Sequence, residues 1–273
     1  MLDVADVRFG YPRSGHLVLD GVTIRVAPGA IVGVLGPNGS GKTTLLRLMS
    51  GALRPASGHV RLDGTEIGTL SRRMIARRLA VVPQETSLAF DYSALEIVLM
   101  GRYPHLGAFE VEGPADLAAA RTALEATGTA ALADRPFRTL SGGEKQRVVI
   151  ASALAQLDDA PGGAPALLLL DEPTASLDLR YQLEVAALIR RLHEARGITI
   201  LLSTHDLRLA ATVCTEIVLL STGHVLGQGH PREMLTSRFI GQVFELDEAL
   251  VQAHLARTLL TPMEPRGFSP GER

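Results

Sequence analysis

The segment that decides the fold reads AIVGVLGPNGSGKTTLLRLM, from Ala30 to Met49. It begins with an apolar run, residues 30–35, of the kind that forms a strand buried on both faces of a parallel sheet. It ends with a helical pattern over residues 43–49. The loop between them, Gly36 to Thr43, matches G-x-x-x-x-G-K-T in the strand-loop-helix context that a phosphate-binding P-loop requires.

The chemistry of phosphate binding explains the composition of this loop. Its glycines let backbone N–H groups curl around phosphate oxygens, and the helix that follows adds its dipole. Lys42, one of only two lysines among 27 basic residues, places a compact charge at the β- and γ-phosphates. Thr43 can ligate Mg²⁺. The predicted nucleotide-binding residues of this loop are Gly36, Pro37, Asn38, Gly39, Ser40, Gly41, Lys42, Thr43 and Thr44.

A second apolar run, residues 166–170, ends in two carboxylates, Asp171 and Glu172. A carboxylate at that strand end can hold Mg²⁺, and this role is assigned to Asp171. Glu172 is then free to polarise the water that attacks the γ-phosphate. Alone, such a strand end is common in proteins, but after a P-loop the functional interpretation is favoured.

The order of these patterns predicts an α/β fold with a P-loop NTPase core and a mixed or parallel sheet. Alternating apolar residues between positions 4 and 26 predict an N-terminal antiparallel β-subdomain. Residues from about 86 to 157 are rich in Ala and Leu and predict an α-helical subdomain inserted in the core. Residues 1–240 are thus one domain. Residues 241–273 are a short C-terminal extension. Residues 236–261 are expected to form a short helix or strand pair packed on the core, and the tail from residue 262 is expected to be disordered.

Composition excludes several other classes of protein. With 46% hydrophobic and 21% charged residues over 273, the chain is not intrinsically disordered. Its longest apolar run, residues 166–170, is far too short to span a membrane. A net charge of −2 indicates no basic surface for nucleic acid, and the absence of Trp leaves few aromatic side chains for stacking on bases. An acidic start without a basic secretory region, together with a single cysteine, Cys214, leads us to expect a cytoplasmic protein.

The motif Leu140–Arg147, LSGGEKQR, carries a resemblance to a known family. Its small residues Ser141, Gly142 and Gly143 precede a helical pattern from Glu144 to Leu157, and a helix N-terminus binds anions. Along the chain, the motif lies after the P-loop and before the strand that ends in Asp171 and Glu172. In this order the chain resembles the nucleotide-binding subunit of an ABC (ATP-binding cassette) transporter, whose signature motif this is. The resemblance implies ATP and Mg²⁺ as ligands, and a homodimer in which each ATP lies between one subunit's P-loop and the other's signature.

Four further residues match positions of this family in order. The resemblance implies that Tyr11 stacks on adenine, that Gln84 contacts Mg²⁺ or the attacking water, and that Asp178 belongs to the D-loop, Ser176–Asp178, at the dimer interface. It also implies that His205, after the apolar run 198–202, reaches the γ-phosphate as the switch histidine. The predicted catalytic residues are then Glu172, His205 and Gln84, and the predicted metal ligands are Thr43, Gln84 and Asp171.

The segment Gly101–Gly107, GRYPHLG, resembles subunits that energise import of iron-siderophore complexes, haem and cobalamin. The alternative is a helix end, with Gly101 as a breaker and Tyr103-Pro104 extended. The loop 158–165 is similar to one in haem-import ATPases. This resemblance implies integral membrane permease subunits and, indirectly, a substrate-binding protein, so the chain is expected on the cytoplasmic face of the inner membrane.

Other functions stay open at this point. An exporter motor, or an importer ATPase with another cargo, fits the same motifs. ABC ATPases of DNA repair or translation usually carry coiled-coil insertions or tandem cassettes, which this sequence lacks. A small-molecule kinase would leave the LSGGEKQR motif unexplained.

Overall fold

The computed structural model describes residues 2–12, 15–86, 90–158, 166–175 and 177–258. Within them, the strands are β1 (Leu2–Phe9), β2 (Leu19–Val26), β3 (Ile31–Leu35), β4 (Ser57–Leu62), β5 (Thr65–Glu66), β6 (Leu79–Val82), β7 (Leu167–Asp171), β8 (Thr199–Thr204), β9 (Glu216–Ser221) and β10 (His224–Gly229). The helices are α1 (Lys42–Met49), α2 (Arg72–Ala76), α3 (Ala94–Met100), α4 (Pro114–Ala126), α5 (Gly142–Leu157), α6 (Leu179–Arg196), α7 (Leu207–Val213), α8 (Pro231–Met234), α9 (Ser237–Phe244) and α10 (Glu248–Thr258).

A six-stranded sheet in the order β10-β9-β3-β8-β7-β6 forms the centre of the molecule. All neighbouring pairs are parallel except β10 with β9. Every residue of β3, β7 and β8 is buried, because alternate side chains enter the cores on opposite faces of the sheet. The register places Asp171 opposite Ser203 and Leu35 opposite Thr204. The carboxyl ends of the three strands therefore meet at one edge, where α/β proteins bind ligands.

A second sheet, in the order β2-β1-β4-β5, is antiparallel throughout, as the alternating N-terminal pattern predicts. Its inward residues pack with α1 and one face of the central sheet in a shared core. Leu17, which continues the alternating pattern, lies before β2 and is about half exposed. The mixed sheets and helices confirm the predicted α/β fold class.

The chain between β6 and β7 contains α3, α4 and α5, which pack against one another. Helix α5 begins at Gly142, two residues earlier than the sequence pattern predicts, because Ser141 caps it. Helix α3 ends at Met100 and Gly101 is its C-cap, so a helix end lies where the helix-end interpretation places it. A Cβ on Gly101 would overlap the Ser152 carbonyl of α5. The turn Tyr103–His105 is a short 3₁₀ helix and not extended, so that part of the helix-end interpretation is wrong.

The chain after β10 is helical as far as Thr258. The strand pair considered for this region is therefore absent from the described part, and α8, α9 and α10 take its place. Residues 159–165 and 259–273 lie outside the described residues, and so do the predicted insertion, apart from Asp158, and the predicted disordered tail. Among the described helices, none combines the length and the apolar character needed to cross a membrane.

Candidate functional site

The loop between β3 and α1 has the backbone geometry of a phosphate cradle. Gly39 and Gly41 adopt positive φ values of 81° and 104°, which L side chains rarely adopt. A Cβ on Gly36 would overlap the carbonyl oxygen of Leu220. Gly41 is the N-cap of α1 and provides no side-chain cap. The first N–H groups of α1 are therefore open to a ligand in the loop.

Lys42 is buried and points back into this loop. Its Nζ donates hydrogen bonds to the carbonyl oxygens of Gly36, at 2.9 Å, and Pro37, at 3.0 Å. The same nitrogen lies 3.1 Å from Oε1 of Glu172, in an ion pair whose side chains are only 4% and 11% exposed. A buried ammonium needs such partners because charge is costly to bury alone.

Asp171 ends β7 and faces α1. Its Oδ1 accepts hydrogen bonds from Oγ1 of Thr43, at 3.1 Å, and from Oγ of Ser203, at 2.6 Å. Ser203 also accepts the backbone N–H of Glu172 at 2.9 Å. Sequence reasoning missed Ser203, although it stands two residues before His205 at the end of a neighbouring buried strand. Its hydroxyl links the carboxylate of Asp171 to the backbone N–H of Glu172.

Glu172 lies between a lysine and a histidine. Its Oε1 pairs with Lys42, and its Oε2 lies 3.3 Å from Nδ1 of His205. Its φ is 45°, a left-handed value that is unusual for a residue with a side chain. Strain of this kind persists where neighbours hold the residue in place, and here the Ser203 hydrogen bond does so. The backbone of Glu172 is thus held by Ser203, and its carboxylate is held by Lys42 and His205.

A cavity of about 420 Å³ opens beside these groups. Its lining residues are Val18, Asn38, Gly39, Gly41, Lys42, Thr43, Thr44, Gln84 and Glu172. Ser40, in the same loop, has a buried hydroxyl with no hydrogen-bond partner among the described residues. An orphaned hydroxyl, a buried ammonium and open helix N–H groups suit an anion.

Tyr11 lies next to this cavity rather than among its lining residues. Its hydroxyl is 3.2 Å from Oγ1 of Thr44, and its ring meets Phe9 edge to face at 5.0 Å. The side chain is 37% exposed. It is therefore positioned beside α1, with part of the ring accessible.

The signature motif lies apart from the P-loop cavity, and its own side chains cap the helix that follows. Ser141 accepts the N–H of Glu144 at 3.4 Å, while Glu144 accepts the N–H of Ser141 at 2.8 Å, a complete capping box. The Ser141 N–H lowers the pKa of the Glu144 carboxyl. Asp178 caps α6 through the N–H of Tyr181, at 3.1 Å, and Ser176 lies outside the described residues. None of the described signature residues or Asp178 lines the P-loop cavity of the same chain.

In the GRYPHLG segment, the side chains of Arg102 and His105 contact the C-terminal end of α5. Arg102 is buried and donates to the carbonyl of Ala155 at 2.8 Å and to Asp116 at 2.9 Å. His105 Nε2 lies 2.8 Å from the carbonyl oxygen of Gln156. These contacts satisfy carbonyls that the helix leaves unpaired at its C-terminus. Only Tyr103 of the quoted motif, 55% exposed, presents a large side chain to the surface.

Fold and site together define a P-loop ATPase. The sequence profile of the ABC transporter family matches residues 19–175, more than half of the chain. The chain belongs to this family and is an ATP-binding, ATP-hydrolysing cassette.

Several relatives specify this class further. A hemin import ATP-binding protein of Myxococcus xanthus is 45% identical, covering 88% of this chain and 89% of its own. A cobalamin import ATP-binding protein of Halobacterium salinarum is 41% identical over 85% of this chain and 56% of its own. Among solved structures, one described as a metal-chelate type ABC transporter in an inward-facing conformation is 33% identical, with a TM-score of 0.77, over 89% of this chain and 88% of that one.

Proposed function

We propose that this chain is the ATP-hydrolysing subunit of an importer of a metal chelate, with haem as the cargo. The observation that carries the ATPase part is the position of Glu172, whose two oxygens lie against Lys42 and His205 at the edge of the P-loop cavity. The cargo part rests on the hemin-import relative. Cobalamin and ferric siderophores are the alternatives, and the cobalamin-import relative favours the first of these.

In this proposal the ammonium of Lys42 is paired with Glu172 before ATP binds and with phosphate afterwards. The phosphates of ATP enter the P-loop, replace Glu172 as the partner of the Lys42 ammonium and accept hydrogen bonds from the open N–H groups of α1. Glu172 is released toward the cavity, where its carboxylate accepts the proton of the attacking water. His205, 51% exposed and still beside Glu172, contacts the γ-phosphate. Tyr11 stacks on the adenine beside Thr44.

The residues present fit a bound Mg²⁺. Asp171 is a buried carboxylate whose Oδ1 lies 3.1 Å from the Thr43 hydroxyl, and Gln84 lines the same cavity. No described cluster of three His, Cys, Asp or Glu side chains could hold a metal by itself. This matches the way Mg²⁺ is held, with one or two carboxylates and the phosphates of the nucleotide. When bound, Mg²⁺ would neutralise phosphate charge.

The second half of the site comes from a partner copy in this proposal. Ser141, Gly142 and Gly143 do not line the P-loop cavity of their own chain, yet they form a second helix N-terminus with small residues. Two copies arranged head to tail bring this surface, with Asp178 at the interface, against the ATP of the other chain. Such a pair has two-fold symmetry, and each copy uses both of its surfaces.

The pair acts beneath integral membrane permease subunits, at the cytoplasmic face of the inner membrane, with a substrate-binding protein delivering the cargo. Gln84 and the helices α3 to α5 link ATP binding to the permease. Residues 1–240 form the ATPase domain, with 86–157 as its helical subdomain and 241–273 as an extension. Neither the composition nor the charge of the chain supports a nucleic-acid partner.

The ATPase assignment is tested by Glu172→Gln. We expect turnover to fall about 100-fold or more, because the proton acceptor is lost, while ATP still binds. Glu194→Gln, an exposed glutamate of α6, is the matched control and should keep its activity. Normal turnover in Glu172→Gln would remove Glu172 as the base.

The cargo assignment is tested by uptake of labelled haem, ferric siderophore and cobalamin in cells that depend on this chain. We expect Glu172→Gln to abolish haem uptake alone. Loss of cobalamin or siderophore uptake instead would replace the cargo. Unchanged uptake of all three would leave the ATPase assignment intact but would contradict the import of these chelates.

A further inference from the structure

Four arginines on and beside α2 form a local concentration of positive charge. This arginine patch consists of Arg54, Arg72, Arg73 and Arg77. Within the described part of the chain, no hydrogen bond or ion pair joins any of the four to a carboxylate, whereas the neighbouring Arg78 pairs with Asp63. The whole chain has a net charge of −2, so the patch is not a general property of its surface.

Two guanidinium groups of the patch are held by the backbone of the GRYPHLG segment. Arg73 donates to the carbonyl oxygens of Pro104, at 2.8 Å, and His105, at 3.1 Å. Arg77, one turn further along, donates to the same two carbonyls at 3.0 and 3.4 Å. Neutral carbonyls fix the two groups side by side without cancelling their charge, so the groups repel each other. A bound anion would relieve that repulsion.

The other two arginines, Arg54 and Arg72, line a cavity of about 380 Å³. Arg72 is fixed there by a hydrogen bond from Nη1 to the carbonyl oxygen of Gly51, at 2.6 Å. The one carboxylate among the described lining residues, Glu66, lies 3.2 Å from Nδ1 of His59 in a separate pair. Most of the remaining wall is apolar, with the side chains of Leu53, Pro55, Ile67, Leu70 and Ile75. The cavity thus combines two cations with apolar walls.

Exposed apolar and aromatic side chains lie among these cations. Met74 of α2 is 57% exposed. Tyr103, which precedes the carbonyls that hold Arg73 and Arg77, is 55% exposed. Arginine next to exposed Met and Tyr suits the headgroup region of a membrane, where Tyr rings are enriched and guanidinium groups pair with phosphate.

We propose that the arginine patch binds the phosphate groups of anionic lipids at the membrane surface, with Arg54 and Arg72 holding a headgroup at the cavity. The inference rests on the position beneath a membrane permease that the proposed function gives the chain. A basic patch suits anionic lipids better than the permease, because cytoplasmic loops of membrane proteins are themselves rich in Lys and Arg. The backbone of the GRYPHLG segment then supports the two central arginines of a lipid-binding surface.

The test is co-sedimentation of the full-length protein with phosphatidylglycerol vesicles, without nucleotide or permease. Phosphatidylcholine vesicles are the neutral comparison, and we expect no binding to them. Arg54→Gln and Arg73→Gln should each weaken binding to phosphatidylglycerol about fivefold, and together about 25-fold, because arginines near an anionic surface contribute similar amounts. Arg73→Lys keeps the charge and should keep the binding.

Arg190→Gln and Arg191→Gln are the matched controls, since they change a pair of exposed arginines on α6. We expect them to leave vesicle binding unchanged. An equal loss in these controls would show a response to net charge alone and would overturn the inference. Displacement of the protein by inorganic phosphate, at the same concentration as the lipid phosphate, would assign the patch to a free anion instead.

Failure of this inference and failure of the proposed function give different results. Absence of vesicle binding, with haem uptake still lost in Glu172→Gln, would reject the lipid surface and keep the importer. Loss of uptake in Arg54→Gln and Arg73→Gln with undiminished vesicle binding would assign the patch to the permease. Arginine-dependent vesicle binding, with no chelate uptake depending on Glu172, would support the lipid surface and reject the importer.

Discussion

The N-termini of α1 and α5, which in the proposed function both contact phosphate, are capped in opposite ways. The N-cap of helix α1 is Gly41, which has no capping side chain, and the loop before α1 holds a buried ammonium and an orphaned hydroxyl. The N-cap of helix α5 is Ser141, which forms a complete capping box. One N-terminus is left open and the other is closed by its own residues.

This difference fits the separate roles that the proposed function gives to the P-loop and to the signature motif. The P-loop has donors without a partner among the described residues, so in the proposed function phosphate binds there first. The signature needs no ligand to be stable and presents only a few donors. This suits the role that the proposed function gives the signature, which is to contact a nucleotide already bound to the partner copy.

The largest expected effect is at the open end. Lys42→Ala removes the buried cation, and we expect ATP affinity to fall roughly 100-fold because phosphate charge is left uncompensated. Isothermal calorimetry with ATP measures this, and Lys145→Ala serves as the other-lysine control. Unchanged affinity in Lys42→Ala would show that α1 does not bind the phosphates.

A second prediction concerns the closed end. Gly143→Ala places a methyl group into the Tyr181 ring, and we expect a loss of about 1–3 kcal/mol in unfolding free energy from overpacking. Gly142→Ala is the control, since its Cβ would meet only the end of Leu177, at 3.3 Å. Urea unfolding compares the two. Equal stability of both variants would contradict the packing described here.

The P-loop and the contacts of the signature motif differ in how well they could be predicted from the sequence. Residues 30–49 encode strand, loop and helix within one short stretch, so the P-loop could be predicted from local pattern. Ser203 and Tyr181 could not, because their contacts join residues 32 and 40 positions apart through strand register and helix packing. The inward orientation of Arg102 and His105 likewise depends on where α5 ends.

A smaller effect is expected from the cap itself. Ser141→Ala should lower the unfolding free energy by about 1 kcal/mol, the usual value for an N-cap serine. Ser93→Ala, which removes an equivalent capping box from α3, should cost a similar amount without affecting ATP-dependent dimer formation. Ser141→Ala with undiminished stability would mean that α5 does not depend on its cap.

The smallest effect is a pH dependence at Glu144. Its folded pKa lies below the ordinary value of 4.5, because it accepts the Ser141 N–H. It therefore stabilises the fold above that value, and the contribution is lost as pH falls through the folded pKa. We expect Glu144→Gln to be about 0.5 kcal/mol less stable than wild type at pH 7, and the gap to close in acid. A gap that widens in acid would reverse the sign.

The central claim, that each ATP is held by the open end of one copy and the closed end of another, is tested most directly by mixing two inactive variants. Lys42→Ala lacks a working P-loop, and Ser141→Arg lacks a working signature. In a head-to-tail pair, one mixed site combines the intact P-loop of one variant with the intact signature of the other. We predict that each variant alone hydrolyses almost no ATP and that the mixture regains activity. A mixture as inactive as its components would contradict the account.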